Sequence, residues 1–223
     1  MTPKHASLAE TLVVSKYARS VSMNIGTSSL MKEPDMHHPR CTDYELLCRL
    51  VGRKAAAELY RGSLRQIFAI ADNGNAGHQK LAAAWELMQR VIAEQLRESS
   101  VLDSPTAVRN YLQLLYAGRE YESFMVLFLD SAHHMIAAEE IFRGTLAQTS
   151  VYPREIVKQS LQRNAAAVIL AHNHPSGLPE PSRADEFLTQ TLKSALALVD
   201  IRVIDHIVIG GDKATSFAER GLL

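Results

Sequence analysis

Residues 165–177 read Ala-Ala-Ala-Val-Ile-Leu-Ala-His-Asn-His-Pro-Ser-Gly, an apolar run that ends in two histidines and a turn. The run lacks alternating polar residues, which is typical of a strand that is covered on both faces. Asn164 bounds the run on one side, and Pro175 and Gly177 lie just beyond the other. We therefore expect a buried strand over Ala165–Ala171 and a tight loop after it.

The two histidines of this stretch are spaced for a shared ligand. His172 and His174 are two residues apart, and side chains at such positions point the same way in an extended chain. Both imidazoles can therefore face one ion. Pro175 favours extended backbone at His174, which helps to hold that geometry where the strand ends. Ten residues separate His174 from Asp185, enough for a loop that turns back before a helix with Asp185 in its first turn.

Two histidines and one carboxylate supply three protein ligands and leave a fourth position for water. This is the usual arrangement of catalytic zinc, whereas structural zinc sites generally close with four protein ligands, most of them cysteine. A His-x-His pair alone is a weak signal. Asp185 also has a second explanation, because Ser182-x-x-Asp185 resembles a capping box that stabilises the start of a helix. The two roles are compatible, since a capping residue can hold a ligand in place.

The full string His172-x-His174-x7-Ser182-x2-Asp185 resembles the JAMM motif of the MPN (JAB) metalloprotease superfamily. The words HNHPSG, NAAAVIL and DHIVIG resemble its bacterial RadC-like (UPF0758-type) branch in particular, and the similarity extends over roughly residues 105–223. The resemblance implies an α/β fold with an MPN-type mixed sheet flanked by helices. It also implies one Zn²⁺ ion held by His172, His174 and Asp185, with water as the fourth ligand.

The resemblance further implies a glutamate at the start of the first strand and hydrolysis of a peptide or isopeptide bond in a protein or peptide substrate. Glu122 precedes the apolar run Phe124–Leu129 and is predicted to be the general base, because the attacking water must lose a proton. Glu139 and Glu140 lie in the next predicted strand and are rival candidates. Ser182 is predicted to donate a hydrogen bond to the developing oxyanion, although capping the following helix would also explain this residue.

The composition is that of an ordinary globular protein, with 47% hydrophobic and 22% charged residues. No apolar run approaches the roughly 18 residues of a membrane span, and no signal-peptide pattern is present, so the sequence predicts a cytoplasmic protein with no membrane association. Cys41 and Cys48 are the only cysteines. They lack the paired spacing of a structural zinc site, and we expect them to be reduced.

The chain is predicted to divide into a mobile arm over residues 1–41, a helical region over 42–118 and a catalytic domain over 119–223. In the predicted helix His78–Arg97, an apolar face that includes Leu81, Leu87, Met88, Val91 and Leu96 is attributed to core packing. Other helices are predicted at Leu8–Tyr17, Asp43–Val51, Lys54–Tyr60, Pro105–Ala117, Pro153–Arg163 and Ser182–Val199. Strands are predicted at Phe124–Leu129, Met135–Phe142, Ala165–Ala171, Val203–Ile209 and Ala214–Phe217.

DNA binding is an alternative function. RadC-like proteins commonly carry a helix-hairpin-helix region before the MPN domain, in which a Gly-x-Gly turn exposes backbone amides to a phosphate. Residues 73–80 occupy that place, and Asn75 replaces the first glycine, so the turn is degenerate. Residues 120–223 carry 9 basic and 13 acidic side chains, whereas DNA-binding modules show a basic patch. The alternative function is thus that of a DNA-associated or scaffold protein with little turnover. The sequence does not predict the oligomeric state.

Overall fold

The structure is a computed structural model that describes residues 41–60, 67, 76–144 and 151–223. Residues 1–40 of the predicted arm, with the helix predicted at Leu8–Tyr17, lie outside this set. Residues 73–75 of the degenerate turn lie outside it as well. Cys41–Leu223 forms one compact unit.

Five strands form one mixed sheet in the order β2-β1-β3-β4-β5. Strand β1 is antiparallel to both β2 and β3, β3 is parallel to β4, and β5 is antiparallel to β4. The strands are β1 (Ser123–Leu129), β2 (Met135–Arg143), β3 (Ala167–Asn173), β4 (Arg202–Gly210) and β5 (Lys213–Ser216).

Helices precede the sheet and flank it on both faces. They are α1 (Asp43–Val51), α2 (Arg53–Leu59), α3 (Ala76–Glu98), α4 (Pro105–Tyr116), α5 (Pro153–Gln162), α6 (Arg183–Ala197) and the short α7 (Phe217–Arg220). A mixed sheet flanked by helices and preceded by a helical region is the predicted fold class, which is confirmed.

Alternate residues of the central strands pack on opposite faces of the sheet. Leu127 and Ile169 lie in a core with α3 and α4, whereas Phe128 and Leu170 lie in a second core with α5 and α6. Strands β1 and β3 are buried along their whole length. Coverage on both faces explains why their sequences are continuous apolar runs without alternation.

Helix α3 differs from the prediction of one packed apolar face. Leu81 packs with α1 and α2, and Leu96 packs in the core shared with the sheet. Between them, Leu87, Met88 and Val91 are exposed by 62%, 51% and 64%. The attribution of the whole stripe to core packing was therefore wrong. The two ends of this 23-residue helix pack into different cores. The apolar face between them is exposed to solvent.

Strand β3 begins and ends two residues later than predicted. Ala165 still closes the end of α5, because its N–H donates to the carbonyl of Ser160 at 3.0 Å, and Asn164 takes a left-handed φ of 51°. The strand consequently continues through His172 and Asn173. This places the first histidine of the motif inside the sheet, where its backbone is fixed on both sides.

Two further sequence predictions concern the chain as a whole. Cys41 and Cys48 are both free of disulfide bonds. Within the described ranges, no helix combines the length and the apolar character that crossing a membrane requires.

Candidate metal centre

The predicted site residues converge at one end of the sheet. His172 is the next-to-last residue of β3, and His174 follows that strand. Asp185 lies in the first turn of α6. Because β1 and β3 are antiparallel, Glu122 at the start of β1 lies beside the end of β3. These four residues and Ser182 line one cleft of about 620 Å³.

The donor atoms of this group lie within a few ångströms of one another. Nε2 of His172 and Nε2 of His174 are 3.0 Å apart. Oδ1 of Asp185 is 3.4 Å from the first nitrogen, and Oδ2 is 3.7 Å from the second. Donor atoms of Glu122 and the two histidines also lie within 4.8 Å of one another. The two imidazoles can therefore hold a metal ion together with a carboxylate, and both Asp185 and Glu122 lie close enough to supply one.

Hydrogen bonds behind His172 determine which of its ring nitrogens carries the proton. Thr189 Oγ1 donates to the carbonyl of Asp185 at 2.6 Å, so this hydroxyl accepts the Nδ1–H of His206, also at 2.6 Å. Nε2 of His206 then accepts the Nδ1–H of His172 at 2.8 Å. Burial lowers the pKa of His206 well below its ordinary value, which keeps the ring neutral as this relay requires. Nε2 of His172 is left with a lone pair toward the cleft.

His174 is oriented in the same sense by a different partner. Its Nδ1 lies 2.8 Å from the carbonyl of Leu178, which can only accept, so Nδ1 carries the proton. In their neutral forms the two histidines thus direct Nε2 lone pairs at each other, which is repulsive unless a cation lies between them. Ligands about 2.1 Å from a tetrahedral zinc ion are about 3.4 Å apart. The 3.0 Å between the two nitrogens and the 3.4 Å between His172 Nε2 and Asp185 Oδ1 are close to this value, and His174 Nε2 lies 3.7 Å from the other carboxylate oxygen, Oδ2.

Ser182 holds Asp185 through a capping box at the start of α6. The N–H of Asp185 donates to Ser182 Oγ at 3.2 Å, while the N–H and O–H of Ser182 both donate to Asp185 Oδ2 at 2.7 Å. Burial raises the pKa of Asp185, but hydrogen bonds from the protonated forms of His172 and His174 outweigh burial and hold it well below its usual range. The carboxylate is therefore ionised, and its Oδ1 faces His172.

Known proteins are similar to this chain in sequence. A family model described as the RadC-like JAB domain matches residues 102–222. This chain belongs to the RadC-like JAB domain family. Similar curated proteins include a UPF0758 protein of Acidovorax sp. (strain JS42), 58% identical over 167 residues that cover 75% of this chain and 70% of the relative. A UPF0758 protein of Leptothrix cholodnii is 61% identical over 150 residues, covering 67% and 68%. Another, from Janthinobacterium sp. (strain Marseille), is 52% identical over 200 residues, covering 82% and 89%.

The family resemblance drawn from HNHPSG, NAAAVIL and DHIVIG is thereby confirmed. Among the glutamates considered for this RadC-like protein, Glu122 is the one that lines the cleft. Glu139 instead bonds to Arg163 at 3.0 Å, and Glu140 pairs with Arg119. The two rivals for the general base both lie on β2 and are paired with arginines from outside that strand.

Two residues behind the RadC-like site extend the sequence analysis. His206 is 0% exposed and hydrogen-bonded to His172, so it lies behind the candidate ligand. Thr189 was not identified. Its position four residues after Asp185 places it on the same face of α6, but a threonine inside an amphipathic helix gives no chemical signal of its own.

Gly210, at the end of β4, allows the loop after His174 to pack directly on the sheet. A Cβ atom there would lie 2.4 Å from the backbone nitrogen of Pro179 and 2.5 Å from the carbonyl carbon of Leu178. Both distances are far below van der Waals contact, so this approach needs a residue without a side chain. The approach brings the Leu178 carbonyl to the ring of His174.

Proposed function

We propose that this RadC-like protein is a zinc-dependent hydrolase of the JAMM metallopeptidase type, which cleaves an amide, peptide or isopeptide bond. The observation that carries the proposal is the convergence of two Nε2 lone pairs and the carboxylate of Asp185 in a cleft that Glu122 also lines. A protein that serves only as a scaffold has no chemical need for this convergence.

The residues of the cleft divide between holding the ion and moving a proton. His172, His174 and Asp185 would hold Zn²⁺, which when bound supplies an activated water molecule and polarises the substrate carbonyl. Glu122 accepts a proton from the attacking water and then transfers it to the leaving nitrogen. The bond between the carbonyl carbon and that nitrogen breaks, so the products are a carboxylic acid and an amine.

Ser182 is proposed to donate a hydrogen bond to the oxyanion that forms during the attack. Its hydroxyl proton points to Oδ2 of Asp185, so this role requires rotation about the Cβ–Oγ bond. The backbone N–H of Ser182 would still bond to Oδ2 after such a rotation. Asp185 therefore stays anchored when the hydroxyl turns toward substrate.

Metal analysis of the purified protein tests the site. We expect near-stoichiometric zinc in the wild type and a large loss in both His174→Ala and Asp185→Asn. His134→Ala is the matched control, because His134 lies in the turn between β1 and β2, at the other end of β1. Absence of bound metal in the wild type after reconstitution with zinc would reject the proposal.

Cleavage of a peptide library that includes isopeptide-linked substrates tests the reaction. We expect Glu122→Gln to retain zinc and to lose turnover by about 100-fold or more, because no positioned base remains. Glu139→Gln is the control and should cleave as the wild type does. Equal cleavage by Glu122→Gln would remove Glu122 as the base. Salt-dependent DNA binding without turnover would instead support the scaffold alternative.

A further inference from the structure

Asn173 lies between the two histidines in sequence and is buried, with 4% of its surface exposed. Its Oδ1 accepts the N–H of Ser123 at 2.8 Å, and its Nδ2 donates to the carbonyl of Tyr121 at 2.9 Å. These groups belong to the two peptide bonds that flank Glu122. One side chain therefore clamps the backbone on both sides of the candidate base.

The clamp lies where regular strand pairing ends. Phe124 and His172 form the last residue pair of the β1–β3 ladder. Beyond this pair, the side chain of Asn173 connects the two strands. An asparagine suits the position because its amide offers an acceptor and a donor in one plane. An aspartate could not donate to the carbonyl, and a serine is too short to reach both groups.

Neighbouring contacts make the clamp rigid. Ser123 is 0% exposed, and its hydroxyl accepts a hydrogen bond from Nη1 of Arg119 at 2.8 Å. On the side of β2, the N–H of Gly144 donates to the carbonyl of Glu122 at 2.8 Å. The backbone of Glu122 is thus held from β2 on one side and from β3 on the other, and Asn173 supplies the β3 side.

We propose that Asn173 is a positioning residue that places the carboxylate of Glu122 relative to the two metal-facing histidines. This inference rests on the proposed function, which gives Glu122 the role of the base. His172 and His174 have separate anchors, at His206 and at the Leu178 carbonyl. Removing the Asn173 amide should therefore displace the base and leave metal binding largely intact.

The test uses the full chain loaded with Co²⁺ in place of zinc, because the visible absorption of Co²⁺ responds to the groups around the ion. The variants are Glu122→Gln, Asn173→Ala and Ser160→Ala. We expect the first two to shift the absorption spectrum in the same way, while their Co²⁺ affinity stays within about threefold of the wild type. This change is smaller than the roughly tenfold or greater loss that usually follows removal of a group hydrogen-bonded to a metal ligand. Ser160→Ala is the matched control, because its buried hydroxyl donates to the carbonyl of Ile156 in its own helix, at 2.7 Å.

Asn173→Ser provides a second variant if Asn173→Ala does not fold, because it keeps a polar group in the buried position. With a cleaved library peptide, either variant should lower kcat by about 10-fold to 100-fold at unchanged KM. A wild-type spectrum in both Asn173 variants, beside a shifted spectrum in Glu122→Gln, would overturn the inference. A wild type that binds Co²⁺ but cleaves nothing would reject the hydrolase proposal, and the spectra would still decide the role of Asn173.

Discussion

His206 Nε2 lies 2.8 Å from His172 Nδ1, so one fully buried histidine orients another that faces the cleft. Thr189 Oγ1 accepts the N–H of the other ring nitrogen of His206 at 2.6 Å and donates its own hydrogen bond to the carbonyl of Asp185. The chain of contacts thus runs from one candidate ligand to the backbone of another. Partners of this kind set the tautomer of a metal-binding histidine and raise the affinity of the site.

Thr189→Val should weaken zinc binding about tenfold, because His206 loses the acceptor that holds its tautomer. It should also lower the unfolding free energy of the metal-free protein by about 1–3 kcal/mol, since Nδ1 of His206 is left unpaired in the core. Zinc affinity is measured by competition with a chromophoric chelator. Thr191→Val is the control, because its hydroxyl bonds within its own helix to Phe187. Equal zinc affinities in the two variants would contradict the relay.

The contact between Asp185 and His174 predicts a pH-dependent stability of the metal-free protein. The hydrogen bond to Asp185 raises the pKa of His174 above its ordinary value of 6.5. A raised pKa in the folded state contributes stability that is fully present below the unfolded pKa and is lost as the pH rises through the folded pKa. The loss in unfolding free energy caused by Asp185→Asn should therefore be larger at about pH 5 than at about pH 8.

Urea unfolding after chelator treatment measures this difference at both pH values. Ser182→Ala is the control, because it removes a capping hydroxyl but leaves the charge of Asp185 in place. Its effect on stability should be similar at the two pH values. An Asp185→Asn effect that does not change with pH would show that the contact with His174 contributes no charge-dependent stability.

Gly210→Ala should displace the loop that carries the Leu178 carbonyl, because the new Cβ would lie 2.4 Å from Pro179 N. We expect a loss of about 1–3 kcal/mol in unfolding free energy from overpacking, together with weaker zinc binding as His174 loses its anchor. Gly221→Ala is the control, because its φ of 69° makes a side chain strained, while among the described residues no atom beyond its chain neighbours lies within 4 Å of the new Cβ. Gly221→Ala should lower stability and keep the zinc affinity of the wild type. Weakened zinc binding in both glycine variants would show that the loss follows from lower overall stability and not from the Leu178 carbonyl.

Ser182→Ala should lower stability by about 1 kcal/mol through loss of the helix cap, while the backbone N–H of this residue still holds Oδ2 of Asp185. Ser182→Thr keeps a capping hydroxyl and should recover most of this loss. Urea unfolding measures the cap, and kcat on a library peptide measures the proposed oxyanion contact. If kcat in Ser182→Ala falls no more than its zinc occupancy does, Ser182 acts only as a helix cap and not as an oxyanion donor.

Much of the site could be predicted because its parts are defined by short-range geometry. Extended backbone places His172 and His174 on one side, and the capping box places Ser182 and Asp185 three residues apart at a helix start. Apolar runs without alternation predicted buried strands, and β3 lies within two residues of its predicted limits. Each of these features depends on neighbours within about one helical turn, so the local sequence contains it.

Other features depended on contacts between distant segments. The partners in the His172–His206 contact are 34 residues apart, and those in the Ser123–Asn173 contact are 50 apart. Sheet register and helix packing create both, and neither leaves a periodic signal in the sequence. The same holds for the open face of α3, whose ends pack into different cores.

The sequence by itself determined the types and spacing of the candidate ligands and the fold class, because these follow from residue chemistry and local backbone periodicity. The tertiary structure decided which glutamate enters the cleft, which histidine contacts the candidate ligand His172 and which asparagine bonds to the backbone beside Glu122. Those assignments depend on the order and register of strands that meet only after the sheet has formed.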